Sequence, residues 1–96
     1  MEVRFAKPDL DRLETDANYD AGWPPGIVRA YRKLMALVWA AVDERDFYAL
    51  KGLHFEKLVG RPGEHSMRLN RQYRLIVRFD GGNPKTIVIV GIEDYH

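Results

Sequence analysis

The sequence predicts an α+β fold: an N-terminal strand and two helices packed on one face of a mostly antiparallel four- to five-stranded sheet. Three observations lead there. In the first half apolar residues recur at spacings of three and four, the mark of helices with one buried stripe. From Leu53 the spacing changes to two, the period of a strand with one buried face. Two runs of turn residues, Gly60-Arg61-Pro62-Gly63 and Asp80-Gly81-Gly82-Asn83-Pro84, cut the second half into strand-sized pieces.

Taken in order, Glu2-Val3-Arg4-Phe5-Ala6 alternates and forms the first strand. Pro8-Asp9 opens a brief helix through Asp16, because proline's missing N–H costs nothing in a first turn and acids there oppose the helix dipole. Leu10 and Leu13 are its buried stripe. A loop through Trp23 leads to Pro24-Pro25-Gly26, which starts the long helix. That helix extends to about Val42, with Ile27, Tyr31, Leu34, Val38 and Val42 as its apolar face and Arg29, Arg32 and Lys33 opposite. Met35 and Trp39 lie beside the stripe as core or partner-facing packing. Asp43-Glu44-Arg45-Asp46 breaks the pattern, and Phe47, Leu50 and Leu53 suggest one more helical turn.

His54-Phe55-Glu56-Lys57-Leu58 then reads as a strand. His65 to Asn70 places Met67 and Leu69 on one face and Ser66, Arg68 and Asn70 on the other. Tyr73 to Phe79 turns Tyr73, Leu75, Val77 and Phe79 inward, leaving Arg74 and Arg78 on the face that carries Arg68. The final strand, Thr86-Ile87-Val88-Ile89-Val90-Gly91-Ile92, is almost wholly apolar. The helices cover one face of such a sheet, and the other becomes a cationic cradle.

A length of 96 residues suits one domain, 1–96, with a single core. Hydrophobic residues at 46% and charged residues at 30% make an ordinary globular balance. The lack of cysteine excludes disulfides and thiolate metal sites. No apolar run matches a secretion signal or a membrane span, so a cytoplasmic protein with no membrane partner is expected. The formal charge of +1 conceals an asymmetry: residues 1–20 hold six acids and three bases, residues 51–85 eight bases and three acids. A one-sided basic surface suits a polyanion; a solvated sheet face rich in arginine is the plainer alternative.

Chemistry concentrates at the end. Asp94-Tyr95-His96 puts a carboxylate, a phenol and an imidazole after the buried strand, where bland turn residues would serve. His96 is the first choice for proton transfer, since an unperturbed imidazole titrates near neutrality. Asp94 either orients that imidazole or caps the strand. Tyr95 either meets the substrate or packs an edge. Zinc needs three or four convergent ligands, and no close histidine pair exists, so no metal and no other cofactor are expected. Gly81-Gly82 is a turn rather than a phosphate loop.

The runs Leu53-His54-Phe55-Glu56-Lys57-Leu58-Val59-Gly60, His65-Ser66-Met67-Arg68-Leu69-Asn70-Arg71-Gln72-Tyr73-Arg74-Leu75 and Glu93-Asp94-Tyr95-His96 resemble HigB toxins of the RelE/ParE superfamily. In that family a Ser-apolar-Arg-apolar-Asn-x-x-aromatic-Arg hairpin precedes an apolar strand ending in Asp-Tyr-His. The resemblance implies a RelE-like fold and the toxin of a bacterial type II toxin–antitoxin pair. It implies a ribosome-dependent endoribonuclease that cuts mRNA during translation on the 70S ribosome, in contact with rRNA. A helix-turn-helix antitoxin of the HigA kind is the implied partner. The family's functional positions fall on His54, Lys57, Arg74, Asp94, Tyr95 and His96. His54 read by itself, beside Phe55, is a structural histidine. The loop Val59 to Glu64 varies in length within the family, and His65 stands where an aromatic residue is common, as a stacker or an extra imidazole.

Metal-free RNA cleavage uses the 2′-hydroxyl as nucleophile, which needs a base, an acid for the departing 5′-oxygen, and cations on the phosphoryl oxygens. Lys57 and Arg74 would bind phosphate, with Arg68 and Arg78 as a supporting field. Two other classes stay open: a non-catalytic ParE-like gyrase poison and a plain RNA- or ribosome-binding module. Asp9, Asp11, Glu14 and Asp16, with an exposed Trp23, mark one surface for the antitoxin.

Overall fold

Which face of each strand carries the branched aliphatic residues decides the architecture. The computed structural model describes residues 1–82 and 84–95; Asn83 and His96, the latter the expected proton-transfer residue, lie outside the described residues. The chain forms β1 (Glu2–Phe5), α1 (Pro8–Thr15), α2 (Pro25–Ala40), α3 (Arg45–Ala49), a 3₁₀ turn (Lys51–Leu53), β2 (Glu56–Lys57), β3 (Glu64–Arg68), β4 (Tyr73–Asp80) and β5 (Thr86–Asp94). The strands make one five-stranded sheet in the order β1-β5-β4-β3-β2. β1 runs parallel to β5, and every other pairing is antiparallel. This is the expected α+β arrangement, with five strands.

Met67, Leu75, Val77, Ile87 and Ile89 share one face and join Leu10, Leu13, Tyr31, Leu34, Met35 and Val38 in the main core. Each such side chain contributes about 1.5–3 kcal/mol relative to exposure, which holds the helices on that face. The Tyr31 hydroxyl donates to the Leu10 carbonyl at 2.7 Å and ties α2 to α1. Met35 is wholly buried, whereas Trp39 is exposed and its indole donates to Glu14 at 2.7 Å.

Three sequence expectations are corrected. The long helix stops at Ala40, so Val42 is exposed rather than part of the apolar stripe. Asp46 takes the Val42 N–H at 2.8 Å and Asp43 takes that of Arg45 at 2.9 Å, so short acidic side chains capture amides the helix would have used. His54 is not in a strand: it caps the 3₁₀ turn in the left-handed region at φ 48°, which cuts β2 to Glu56–Lys57. Trp23 is not exposed, because it packs against the core edge-on to Tyr73 at 5.2 Å. In β5 the alternation of faces is interrupted at Val90, where the register with β4 shifts between Ile76 and Val77. Past this bulge the residues change face, so Gly91 meets Ile76 and Glu93 meets Arg74. No helix among the described residues is long and apolar enough to cross a membrane.

Candidate functional site

Three separate segments meet at the end of the sheet where β4 begins and β5 finishes. The first is the 3₁₀ turn, whose last residue His54 adopts a conformation that non-glycine residues enter at a cost of about 1 kcal/mol. The second is the β3–β4 hairpin, which sets Arg68 directly opposite Arg74. The third is Tyr95, just past β5, whose amide donates to the Gln72 carbonyl. Arg74 joins all three. It is 9% exposed, its Nη1 donates to the His54 carbonyl at 3.1 Å, and its guanidinium lies 4.1 Å from the centre of the Tyr95 ring. That stacking is worth about 0.5–2 kcal/mol and fixes the plane of the guanidinium.

The His54 ring is also engaged. Its Nε2 lies 3.4 Å from Nη1 of Arg68. A guanidinium can only donate, so a hydrogen bond across this contact has Nε2 as its acceptor. The structure thus brings His54, Arg68, Arg74 and Tyr95 together. Asp94 is close by, in register with Tyr73, and its Oδ2 accepts from Gln72 at 3.1 Å. Lys57 and Arg78 are placed elsewhere. Lys57 pairs with His65, on the side of the sheet that carries the core. Arg78 is opposite Glu64 and reaches Asp80 at 3.4 Å.

His65 lies parallel to Phe55 at 4.9 Å and edge-on to Phe79, so it acts as an aromatic packing residue. Burial holds its imidazole below the ordinary value, and the charge of Lys57 adds to the effect.

The basic face is more balanced than composition suggested. Arg61 grips Glu93 with two hydrogen bonds of 2.7 and 2.8 Å and Glu64 with one of 2.7 Å. This guanidinium holds the Glu93 carboxyl below its usual value. Arg4 pairs with Asp80 at 3.0 Å, and Lys85 with Glu44. Between the Arg61 clasp and Arg74 lies a cavity of about 160 Å³, lined by residues that include Leu58, Ser66, Ile76 and Tyr95. Sequence reasoning missed Arg61, and it met Ser66 and Glu93 only as parts of motifs. The glycine inside β5 was the available signal, because an isolated glycine in a strand often marks a bulge.

A fixed guanidinium, an aromatic plate and an imidazole at one edge can hold a phosphodiester, stack a base and exchange a proton. Among the described residues, no group of three His, Asp or Glu side chains is placed to hold a metal ion.

No protein-family model matches the sequence, and no curated protein matches it. Among solved structures the chain is similar to a YoeB/ParE toxin from Agrobacterium tumefaciens, with a TM-score of 0.60 and 17% identity over 100% of both chains. At that identity the likeness speaks for the backbone: the chain shares the fold of that YoeB/ParE toxin.

Proposed function

We propose that this chain is the toxin of a type II toxin–antitoxin pair, of the HigB kind, and cleaves mRNA on the translating ribosome without a metal. The observation that carries the proposal is the convergence of His54, Arg68, Arg74 and Tyr95 at one sheet edge, in a fold shared with a YoeB/ParE toxin. Arg74 grips the scissile phosphate, with Arg68 adding field. His96 and His54 handle the two protons of 2′-hydroxyl attack, Asp94 supports the charged imidazole, and Tyr95 stacks or donates to phosphate. A HigA-like helix-turn-helix antitoxin neutralises the toxin, and both act in the cytoplasm.

A second reading, a non-catalytic gyrase poison, draws on the ParE part of the neighbour's name. One experiment separates the two. The pure chain is incubated with translating ribosomes, and separately with gyrase and supercoiled DNA. Cut mRNA supports the proposal. Linearised DNA with intact mRNA replaces it by the gyrase reading.

A further inference from the structure

Ser66 presents an unresolved account. It is 1% exposed on β3, and among the described residues its buried hydroxyl makes no hydrogen bond. Leaving such a hydroxyl unpaired costs about 1–3 kcal/mol, so it calls for a partner that the described residues do not supply. Across its two ladders Ser66 faces Ile76 on β4 and Glu56 on β2, and neither takes its hydrogen. Ser66 and the buried Arg74 line the same 160 Å³ cavity, whose remaining walls include Leu58, Ile76 and Tyr95. In register they are diagonal neighbours, because Arg74 faces Arg68, two residues along from Ser66. Diagonal positions are about 7–8 Å apart, too far for a short serine to meet the backbone of its neighbour but spanned by one tetrahedral oxyanion.

From this geometry we infer that Ser66 and Arg74 form a two-donor subsite for a non-bridging oxygen of an RNA phosphodiester. The inference deepens the RNA-cleavage reading and rests on it. The hydroxyl donates to the oxygen, and the guanidinium supplies a further N–H and the compensating charge. Among the described residues, Arg74 spends one of its five N–H donors on the His54 carbonyl, so its fork retains capacity. The carboxylates around the cavity limit what it binds. Among the described residues, Glu93 and Asp94 also line it and balance Arg61 and Arg74 in charge. A free phosphate ion gains little from such a field. A phosphodiester already held by the rest of the RNA pays no such penalty, and the subsite then acts on the reaction step more than on binding.

The test uses the full chain, translating ribosomes, and mRNA carrying a single phosphorothioate of known configuration at the scissile position. Ser66→Ala is expected to slow single-turnover cleavage about tenfold to a hundredfold, the range for one hydrogen bond to a charged group, with ribosome affinity unchanged. Ser66→Thr, which keeps the hydroxyl, should restore most of the rate. The native chain should distinguish the two phosphorothioate diastereomers, and Ser66→Ala should lose that discrimination. A purely structural serine would leave it intact. Ser66→Ala should also melt at or above the native temperature, because it removes an unpaired buried hydroxyl. Native cleavage together with equal rates and equal discrimination in Ser66→Ala overturns the subsite alone. Failure of the native chain to cut mRNA overturns the cleavage reading and the subsite together.

Discussion

At the scale of single residues, His54 shows a side chain and its backbone doing different work. Its carbonyl anchors Arg74, which any residue could provide, while its ring faces Arg68, which only an imidazole provides. Its left-handed conformation is one that glycine adopts without penalty. His54→Gly should therefore keep stability within about 1 kcal/mol of the native chain, and His54→Ala should be less stable than His54→Gly. Both should slow mRNA cleavage strongly, because both lose the ring. Thermal melts and single-turnover rates on the two variants check this. A glycine variant that cleaves normally would reduce His54 to a backbone anchor.

The sequence carried the terminal motif and the pairing of Arg68 with Arg74 on one face, because alternation along β3 and β4 is regular up to their shared turn. It did not carry the left-handed His54. Beside Phe55 and Lys57 the residue looks like the next position of a strand, and nothing local marks the reversal. Nor did it carry Ser66 as a candidate, since a serine facing outward on a strand is usually hydrated. Its burial comes from the side chains of other strands.

At the scale of elements, the bulge in β5 is the decisive feature. It turns Glu93 toward Arg74 and lets Arg61, from the loop between β2 and β3, clip that loop to the end of β5. The clip gives a pH signature with a definite sign. Arg61 holds the Glu93 carboxyl below its ordinary 4.5, so the folded chain releases this proton more readily than the unfolded one. The stabilisation is complete above about pH 4.5 and is lost as the pH falls through the lower folded value. Side-chain exposures of 40% for Arg61 and 43% for Glu93 keep the contribution at about 1 kcal/mol or less. Glu93→Gln should flatten this part of the stability-against-pH curve and leave the curve above pH 6 nearly parallel to the native one, as read by urea unfolding. An unchanged acid slope would show that the clip is not populated in solution.

Helix starts were legible, as was the end of α1, but the end of α2 was not. Pro8 and Pro25 mark the first turns of α1 and α2, as proline chemistry requires. The end of α2 depends on Asp43 and Asp46 reaching back to backbone amides, a competition that apolar spacing does not record. For that reason the stripe looked one turn too long.

At the scale of the whole molecule, the layout follows from period alone: helices at spacings of three and four, then strands at two. What period could not supply was the partner of β1, which adds to the far side of β5 and runs parallel to it. The charge distribution also needed coordinates. Arg61, Arg78 and Lys85 are occupied by carboxylates, so the cationic surface is narrower than the basic segment that encodes it. Binding to a short single-stranded RNA should accordingly show a modest salt dependence, with a log–log slope of about −2 for roughly three phosphate contacts. Arg74→Ala should make that slope shallower. A slope near zero in the native chain would count against phosphate contacts as the source of affinity.

The chemistry of the cut ends tests the central claim most directly. Metal-free attack by the 2′-hydroxyl leaves a 2′,3′-cyclic phosphate upstream and a 5′-hydroxyl downstream, so mRNA cleaved on ribosomes by this chain should carry those termini. Fragments ending in 3′-hydroxyl and 5′-phosphate, or mRNA left whole, would contradict the account.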